Sequence, residues 1–200
     1  MINRCIIIQG PTEFLHVQEN KMCWKNNPII FSTWVDADKS AYDLENDTVL
    51  YNEYPKKLGP DNWNYQRIST LNGIILAKEK GYNRIVKWRS DFKTNNAGKL
   101  LNLFNLDKIN FYAFMNHRGG YVTDFFMEGN IDDMFNIFNT NTSGDFPERI
   151  LTNRIYELNL DKKINFICKQ LNKNANVYWH KHNYWFTNNN HQENYLDKII

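Results

Sequence analysis

Strands and helices alternate along this 200-residue chain, and the alternation predicts an α/β fold with a mostly parallel central sheet, in a single domain spanning residues 1–200. Three observations carry that prediction. Cys5 to Ile8 is a continuous apolar run closed by Gln9-Gly10-Pro11, the pattern of a strand covered on both faces. Asn62 to Lys80 reads as a long helix closed by Gly81, and Arg84 to Asp91 follows at once as a strand. No linker, internal repeat or shift of composition interrupts the chain, and its hydrophobic fraction of 42% suffices for one core.

The remaining elements follow the same rhythm. Phe14 to Lys25 fits a modest helix, Pro28 to Trp34 a second strand ending in the acidic loop Asp36-Ala37-Asp38, and Thr48 to Tyr51 a third. The long helix takes Asp61 or Asn62 as N-cap, with Ile68, Leu71, Ile75 and Ala77 on its apolar side. Lys99 to Leu106 reads as a short helix and Asn110 to Met115 as a strand. Beyond the Gly119-Gly120 turn, Tyr121 to Gly129 reads as a further strand, with Asp132 opening a helix that carries Met134, Phe135 and Phe138. Pro147-Glu148 opens the next helix, where proline suits the first turn. Ile164, Ile167, Cys168 and Leu171 recur at helical spacing, and Val177 to Phe186 alternates as a strand.

Composition excludes several function classes. With 24 basic against 22 acidic residues there is no basic stripe to neutralise many phosphates, so nucleic acid is not an expected partner. Cys5, Cys23 and Cys168 form neither a disulfide framework nor a C-x-x-C zinc motif. No apolar run approaches the ~20 residues that cross a bilayer, and the apolar N-terminal run is too short for a signal peptide, which predicts a cytoplasmic, reducing location. The sequons at Asn46 and Asn141 then have no route to modification.

The residues with chemical potential gather at the predicted strand ends, where open α/β sheets bind ligands. On the strand Arg84 to Asp91, alternation sets Lys87, Arg89 and Asp91 on one side and Val86 and Trp88 on the other. Two cations beside a carboxylate suit a nucleotide diphosphate, and an edge strand with solvated charges would look the same. Gln9, Gly10 and Pro11 end the first strand, where glycine allows a flat ligand close to the backbone and the Gln9 amide can hydrogen-bond it; an ordinary tight turn is the plainer reading. Thr33 and Asp36 end the second strand at the same edge. Asn64 and Arg67 lie in the first turns of the long helix, whose start favours phosphate. Asp91 could hold Mg²⁺ or Mn²⁺ through carboxylate oxygen. His180 and His182 flank one lysine and could complete a metal site near Asp91, although a lone histidine is more often structural. Asp124 and Glu148 are the best carboxylates for a general base, Asp124 first; each could equally serve as a turn or helix-start residue.

Three blocks together resemble the WavE-type family of polysaccharide and lipopolysaccharide glycosyltransferases, which is itself similar to glycosyltransferase domains encoded by large DNA viruses. They are Ile6-Ile7-Ile8-Gln9-Gly10-Pro11 with Ser32-Thr33-Trp34, the stretch from Asn64 to Gly73, and Val86-Lys87-Trp88-Arg89-Ser90-Asp91. Thr123-Asp124-Phe125-Phe126 through Gly129 to Met134 fits more loosely. The resemblance implies a GT-A-like, Rossmann-related α/β/α sandwich, a nucleotide-diphosphate sugar as donor, a glycan acceptor and commonly Mn²⁺ or Mg²⁺. It implies Gln9, Gly10 and Pro11 at the nucleotide, Arg67, Lys87 and Arg89 near the phosphates, and Asp91 at the metal. The usual Asp-x-Asp pair of that fold is here Arg89-Ser90-Asp91, so one acidic position is replaced by a cation that could neutralise the leaving diphosphate itself.

Two rival functions share these features. A sugar-1-phosphate nucleotidyltransferase would carry a glycine-rich loop with arginine and lysine after the first strand, and Gln9-Gly10-Pro11-Thr12-Glu13 has none. A catalytically inactive carbohydrate-binding domain would use Trp34, Trp63, Trp88, Trp179 and Trp185 as stacking platforms, whereas aromatic residues are also good core.

Overall fold

The computed structural model describes residues 3–11, 13–112, 114–115, 121–141, 144–167, 177–179 and 184–186. Its centre is a seven-stranded sheet in the order β10-β6-β9-β4-β1-β2-β3. The strands are β1 (Arg4–Gln9), β2 (Ile29–Trp34), β3 (Thr48–Asn52), β4 (Arg84–Arg89), β6 (Ile109–Phe111), β9 (Met127–Asn130) and β10 (Ile164–Phe166). All pair in parallel except β9, which runs antiparallel to both β4 and β6. Two small sheets flank it: β5 (Phe92–Thr94) with β11 (Val177–Trp179) and β12 (Tyr184–Phe186), and β7 (Phe114–Met115) with β8 (Tyr121–Val122).

Alternation along the central strands divides the core into two layers. Ile6 and Ile8 of β1, Phe31 of β2 and Val86 and Trp88 of β4 pack with Val17 and Trp24 of α1 (Phe14–Trp24). Cys5, Ile7, Ile30 and Ile85 pack on the opposite face. That face is covered by α2 (Trp63–Glu79), α4 (Ile131–Phe138) and α5 (Pro147–Glu157), through Trp63, Ile74, Met134, Phe138, Leu151 and Ile155. A sheet covered on both faces accounts for the unbroken apolar run of β1, because every side chain of Cys5 to Ile8 is fully buried.

Helix α2 turns Leu71 and Ala77 to the core as predicted, but the rest of its buried stripe differs from the predicted one. Its buried residues are Trp63, Ser69, Thr70, Gly73, Ile74 and Ala77, while Ile75 is exposed. Small residues let this helix lie close: a Cβ at Gly73 would meet Ile7 Cγ2 at 2.6 Å. Asn62 stands at its N-cap in the left-handed region without a side-chain capping bond.

Four further expectations are corrected. Strand β4 ends at Arg89, so Asp91 lies in the turn before β5 and not within the strand. The Tyr121 to Gly129 segment splits into β8 and β9 around a loop at 123–126. The Asn110 to Met115 segment likewise divides between two sheets as β6 and β7. Ile164 to Phe166 is a strand instead of a helix, because its backbone pairs with Ile109 to Phe111, and the Ile167 N–H donates to the Phe111 carbonyl at 3.1 Å. Residues 168–176, including Cys168, lie outside the described residues. The short helix α3 (Ala97–Leu101) begins two residues earlier than expected because the Asn96 side chain accepts from the Lys99 N–H.

One buried ion cluster closes the end of the sheet where the parallel strands begin. Glu128 is 0% exposed and accepts from Arg84 Nε at 2.7 Å, Arg84 Nη2 at 2.9 Å and Asn110 Nδ2 at 2.7 Å, with Arg4 Nη2 at 3.3 Å. The carboxylate thus ties β9 to β1, β4 and β6.

Gly73→Ala is expected to destabilise the fold by about 1–2 kcal/mol, because overpacking a rigid β-branched neighbour outweighs the gain in helix propensity. Urea unfolding checks this, and an unchanged or higher midpoint would contradict the close approach of α2 to β1.

Candidate active site

The register of β1 with its neighbours builds a polar row at the C-terminal edge of the sheet. Gln9 lies opposite Arg89 on β4 and Ser32 on β2. All three follow the face that α2 covers. Ser69 of α2 donates from Oγ to Gln9 Oε1 at 3.0 Å, and Ser32 Oγ donates to the Ser69 carbonyl at 2.6 Å. Asn52 continues the chain by donating to Ser32 Oγ at 3.0 Å, and Asn72 donates to Asn52 Oδ1 at 2.9 Å. A buried amide oriented by such a chain is pre-organised for a ligand.

Past the row, the chain turns sharply. Gly10 has φ +112, a conformation that favours glycine, and a Cβ there would meet Ser90 Oγ at 3.2 Å. Ser90 Oγ donates to the Pro11 carbonyl, while the Ser90 N–H donates to the Gln9 carbonyl at 3.0 Å. The loops after β1 and β4 are therefore tied to each other, and Asn20 of α1 ties in a third segment by donating to the Ser90 carbonyl at 2.9 Å.

Asp91 is engaged by its neighbour. Arg89 donates to both of its oxygens, from Nε and from Nη2, each at 2.9 Å. This fork geometry is the strongest arrangement for a guanidinium and a carboxylate. Among the described residues no three His, Cys, Asp or Glu side chains converge where they could hold a metal ion. His180 lies outside the described residues. The described groups thus do not form a metal centre around Asp91.

A second charged group sits deeper on the same face. Lys87 is 0% exposed, and its Nζ donates to the backbone carbonyl of Asp124 in the loop before β9. Burial pushes its ammonium down to about 8, opposed chiefly by the Asp124 charge. Asp124 itself is 4% exposed. Glu148, in the first turn of α5, is pushed up to about 7 by burial first and by the Asp124 charge second. Asp61, in the turn before α2, adds to that rise, and Lys87 opposes it. The Asp124 charge thus reaches Glu148, distant in sequence, and the two form a carboxylate pair.

The other predicted residues are distributed differently. Arg67, early in α2, has its Nε buried without a hydrogen-bond partner among the described residues, and desolvation pushes its guanidinium down from the ordinary value. Asn64 donates from Nδ2 to the Lys57 carbonyl at 3.0 Å and so clamps the loop before α2. Thr33 is fully buried on the opposite face with Phe31, and Ser32 takes the place expected for it. Asp36 accepts from the Tyr54 hydroxyl beside the stacked rings of Trp34 and Tyr54, whose centroids are 5.1 Å apart. Trp63 and Trp88 are 0% exposed and Trp34 4%, so these rings are core; the side chains of Trp179 and Trp185 lie outside the described residues. Ser32, Ser69 and Asp61 are the residues that sequence reasoning missed. Strand alternation from Gln9 could have found Ser32; nothing local marks the other two.

Stability should depend on pH through the two displaced groups. The folded chain holds the Glu148 proton more tightly than the unfolded chain, so stability falls as pH rises from the ordinary 4.5 through about 7. Lys87 loses its proton more readily when folded, so stability recovers between about 8 and the ordinary 10.5. Urea titrations across both windows are expected to show the dip, with Glu148→Gln removing the first limb and Lys87→Met the second. A flat profile would contradict both assignments.

No family model and no curated protein matches the chain by sequence. Solved structures do match. One is a protein from Desulfovibrio desulfuricans G20 provisionally named a nucleotide-diphospho-sugar transferase, with a TM-score of 0.55 and 10% identity over 82% of this chain and 79% of that one. Another is a glycosyltransferase involved in glycosylation of the major capsid of PBCV-1, with a TM-score of 0.47 and 11% identity over 82% of both chains. At that identity the first likeness establishes the fold, which is GT-A-like, a seven-stranded mostly parallel sheet between helices.

Proposed function

We propose that this chain is a glycosyltransferase that takes a sugar from a nucleotide-diphosphate donor and attaches it to a glycan hydroxyl. The observation that carries the reading is Glu148, pushed up to about 7 by burial and the Asp124 charge, on the face where Lys87 and Arg89 act on the same carboxylates, at the C-terminal edge of the sheet. A cation-lined edge suits a diphosphate, and a carboxylate titrating near neutrality suits proton removal from a hydroxyl. The GT-A-like fold supports the same donor class by analogy.

In this mechanism the acceptor oxygen attacks the anomeric carbon of the donor sugar. The bond from that carbon to the diphosphate breaks, and its electron pair leaves on the phosphate oxygen. The hydroxyl proton passes to Glu148, whose titration near 7 reverses the expected order of preference between it and Asp124. Asp124 keeps Glu148 basic through its charge. Arg67 and Arg89 stabilise the departing nucleoside diphosphate, and the amide of Gln9, held by Ser69, contacts the nucleoside. Mn²⁺ or Mg²⁺, where such a fold binds one, neutralises diphosphate charge; no step here is routed through it, because Asp91 is paired with Arg89.

The test is release of nucleoside diphosphate from a panel of nucleotide sugars, with glycan acceptors and with and without chelator. Turnover of one donor class is expected, insensitive to chelator. Glu148→Gln should lower kcat by on the order of 10²–10⁴-fold with donor KM little changed, and Arg67→Ala should chiefly weaken donor binding. Thermal stabilisation by a nucleotide sugar without turnover would favour the carbohydrate- or nucleotide-binding alternative. The absence of both stabilisation and turnover would overturn the reading, and a chelator-sensitive rate restored by Mn²⁺ would overturn its metal-independent part.

A further inference from the structure

Lys87 is an expensive residue to place where it lies. An ammonium with no exposed surface must recover its lost hydration from fixed partners, and its hydrogen bond goes to a backbone carbonyl, not to a ligand-facing surface. The carbonyl belongs to Asp124. The 123–126 loop that carries this residue stands between the short strands β8 and β9, whose own pairing partners lie in different sheets, so neither strand alone sets its position. Phe125 and Phe126 pack the loop against Phe92, Tyr112 and Trp88, and its backbone at Asp124 is gripped from the middle of β4, whose register with β1 spans six residue pairs from Arg4 to Gln9. The rigid centre of the sheet therefore holds a loop that the local backbone leaves weakly determined.

The charge faces the same carboxylates. Asp124 acts on Lys87 from the loop, Arg89 and Asp91 from the end of β4, and Glu148 from α5. Glu148 in turn is acted on by Asp124, by Asp61 from the turn before α2, and by Lys87. Arg89 also acts on Asp124 and Glu148 while it holds Asp91, and Lys87 is the cation that adds a direct hydrogen bond to the Asp124 loop.

We propose that Lys87 is the positioning residue of the carboxylate pair: its buried ammonium anchors the Asp124 loop to β4, and its charge stabilises the ionised form of the Asp124–Glu148 pair. The role of the pair in transfer rests on the function proposed above; the anchoring and the charge coupling do not. Like charges resist joint ionisation, so the Asp124 charge raises the titration of Glu148. A buried cation beside them shifts that titration toward the ionised form without occupying the space a substrate needs.

The test reads Glu148 directly, by carbon-13 NMR of its side-chain carboxyl during a pH titration of the intact chain, beside the pH–rate profile of transfer. In the unsubstituted protein the Glu148 resonance is expected to move twice, once near 7 with its own proton and again near 8 as Lys87 discharges. Lys87→Met removes both anchor and charge, Lys87→Gln retains a donor without charge, and Lys87→Arg retains both. Both neutral variants should raise the Glu148 midpoint by about one pH unit and move the acid limb of kcat with it, while Lys87→Arg leaves the midpoint near its original place. Lys87→Gln should keep the amide-exchange protection of the 123–126 loop that Lys87→Met loses. A midpoint that stays fixed in both neutral variants overturns the proposal. The absence of the second movement in the unsubstituted protein overturns it as well, and that reading needs no variant to fold. If transfer is never observed and the Glu148 shifts nonetheless occur, the proposed function fails and the role of Lys87 stands.

Discussion

The parallel pairing of β1 with β4 is the constraint on which the rest of this molecule depends. Six consecutive residue pairs, Arg4 with Arg84 through Gln9 with Arg89, set the two strands in register at the centre of the sheet. Because side chains alternate, that register sends Gln9, Lys87 and Arg89 to one face and Ile6, Ile8, Val86 and Trp88 to the other. The apolar set fills the core against α1, and the polar set meets α2 and α5. A shift by one residue would exchange the two sets and carry the charges to the face beneath α1.

Charge is handled oppositely at the two ends of this pairing. Where the parallel strands begin, Glu128 is enclosed with Arg4, Arg84 and Asn110, and its oxygens are satisfied by side chains of the sheet itself. Where they end, Lys87 and Arg89 face Asp124 and Glu148, and burial together with the Asp124 charge pushes Glu148 up to about 7 against the pull of Lys87. A cluster that is fully paired rigidifies, whereas one that is left unbalanced holds groups able to exchange protons near neutral pH. The same sheet thus supplies a fixed end and a chemically responsive end.

Much of the architecture was legible in the chain. The β1 run, the span of α2 and the proline-opened α5 follow from local pattern and form as expected, and the strand opened at Arg84 forms but stops at Arg89, short of Asp91. Misreadings occur where packing overrides pattern. The apolar residues of α2 suggested one buried stripe, yet Gly73, Ser69 and Thr70 face the sheet because only small side chains fit so near Ile7. Ile164 and its successors have helical spacing, but pairing with β6 satisfies their backbone as a strand. Thr33 and Ser32 differ by one residue and by one face of the sheet.

The candidate site was partly legible for the same reasons. That Lys87 and Arg89 share a face, that Gln9 and Gly10 end a strand, and that Asp124 and Glu148 are available carboxylates are all properties of the sequence by itself, because strand alternation and turn chemistry are local. Which of these charges is enclosed, and which one it acts on, was decided only by the tertiary structure. Lys87 meets a carbonyl 37 positions away, and Glu148 meets Asp61 and Asp124 from separate elements. Desolvation and charge coupling depend on distances in space, and no local run of residues encodes them.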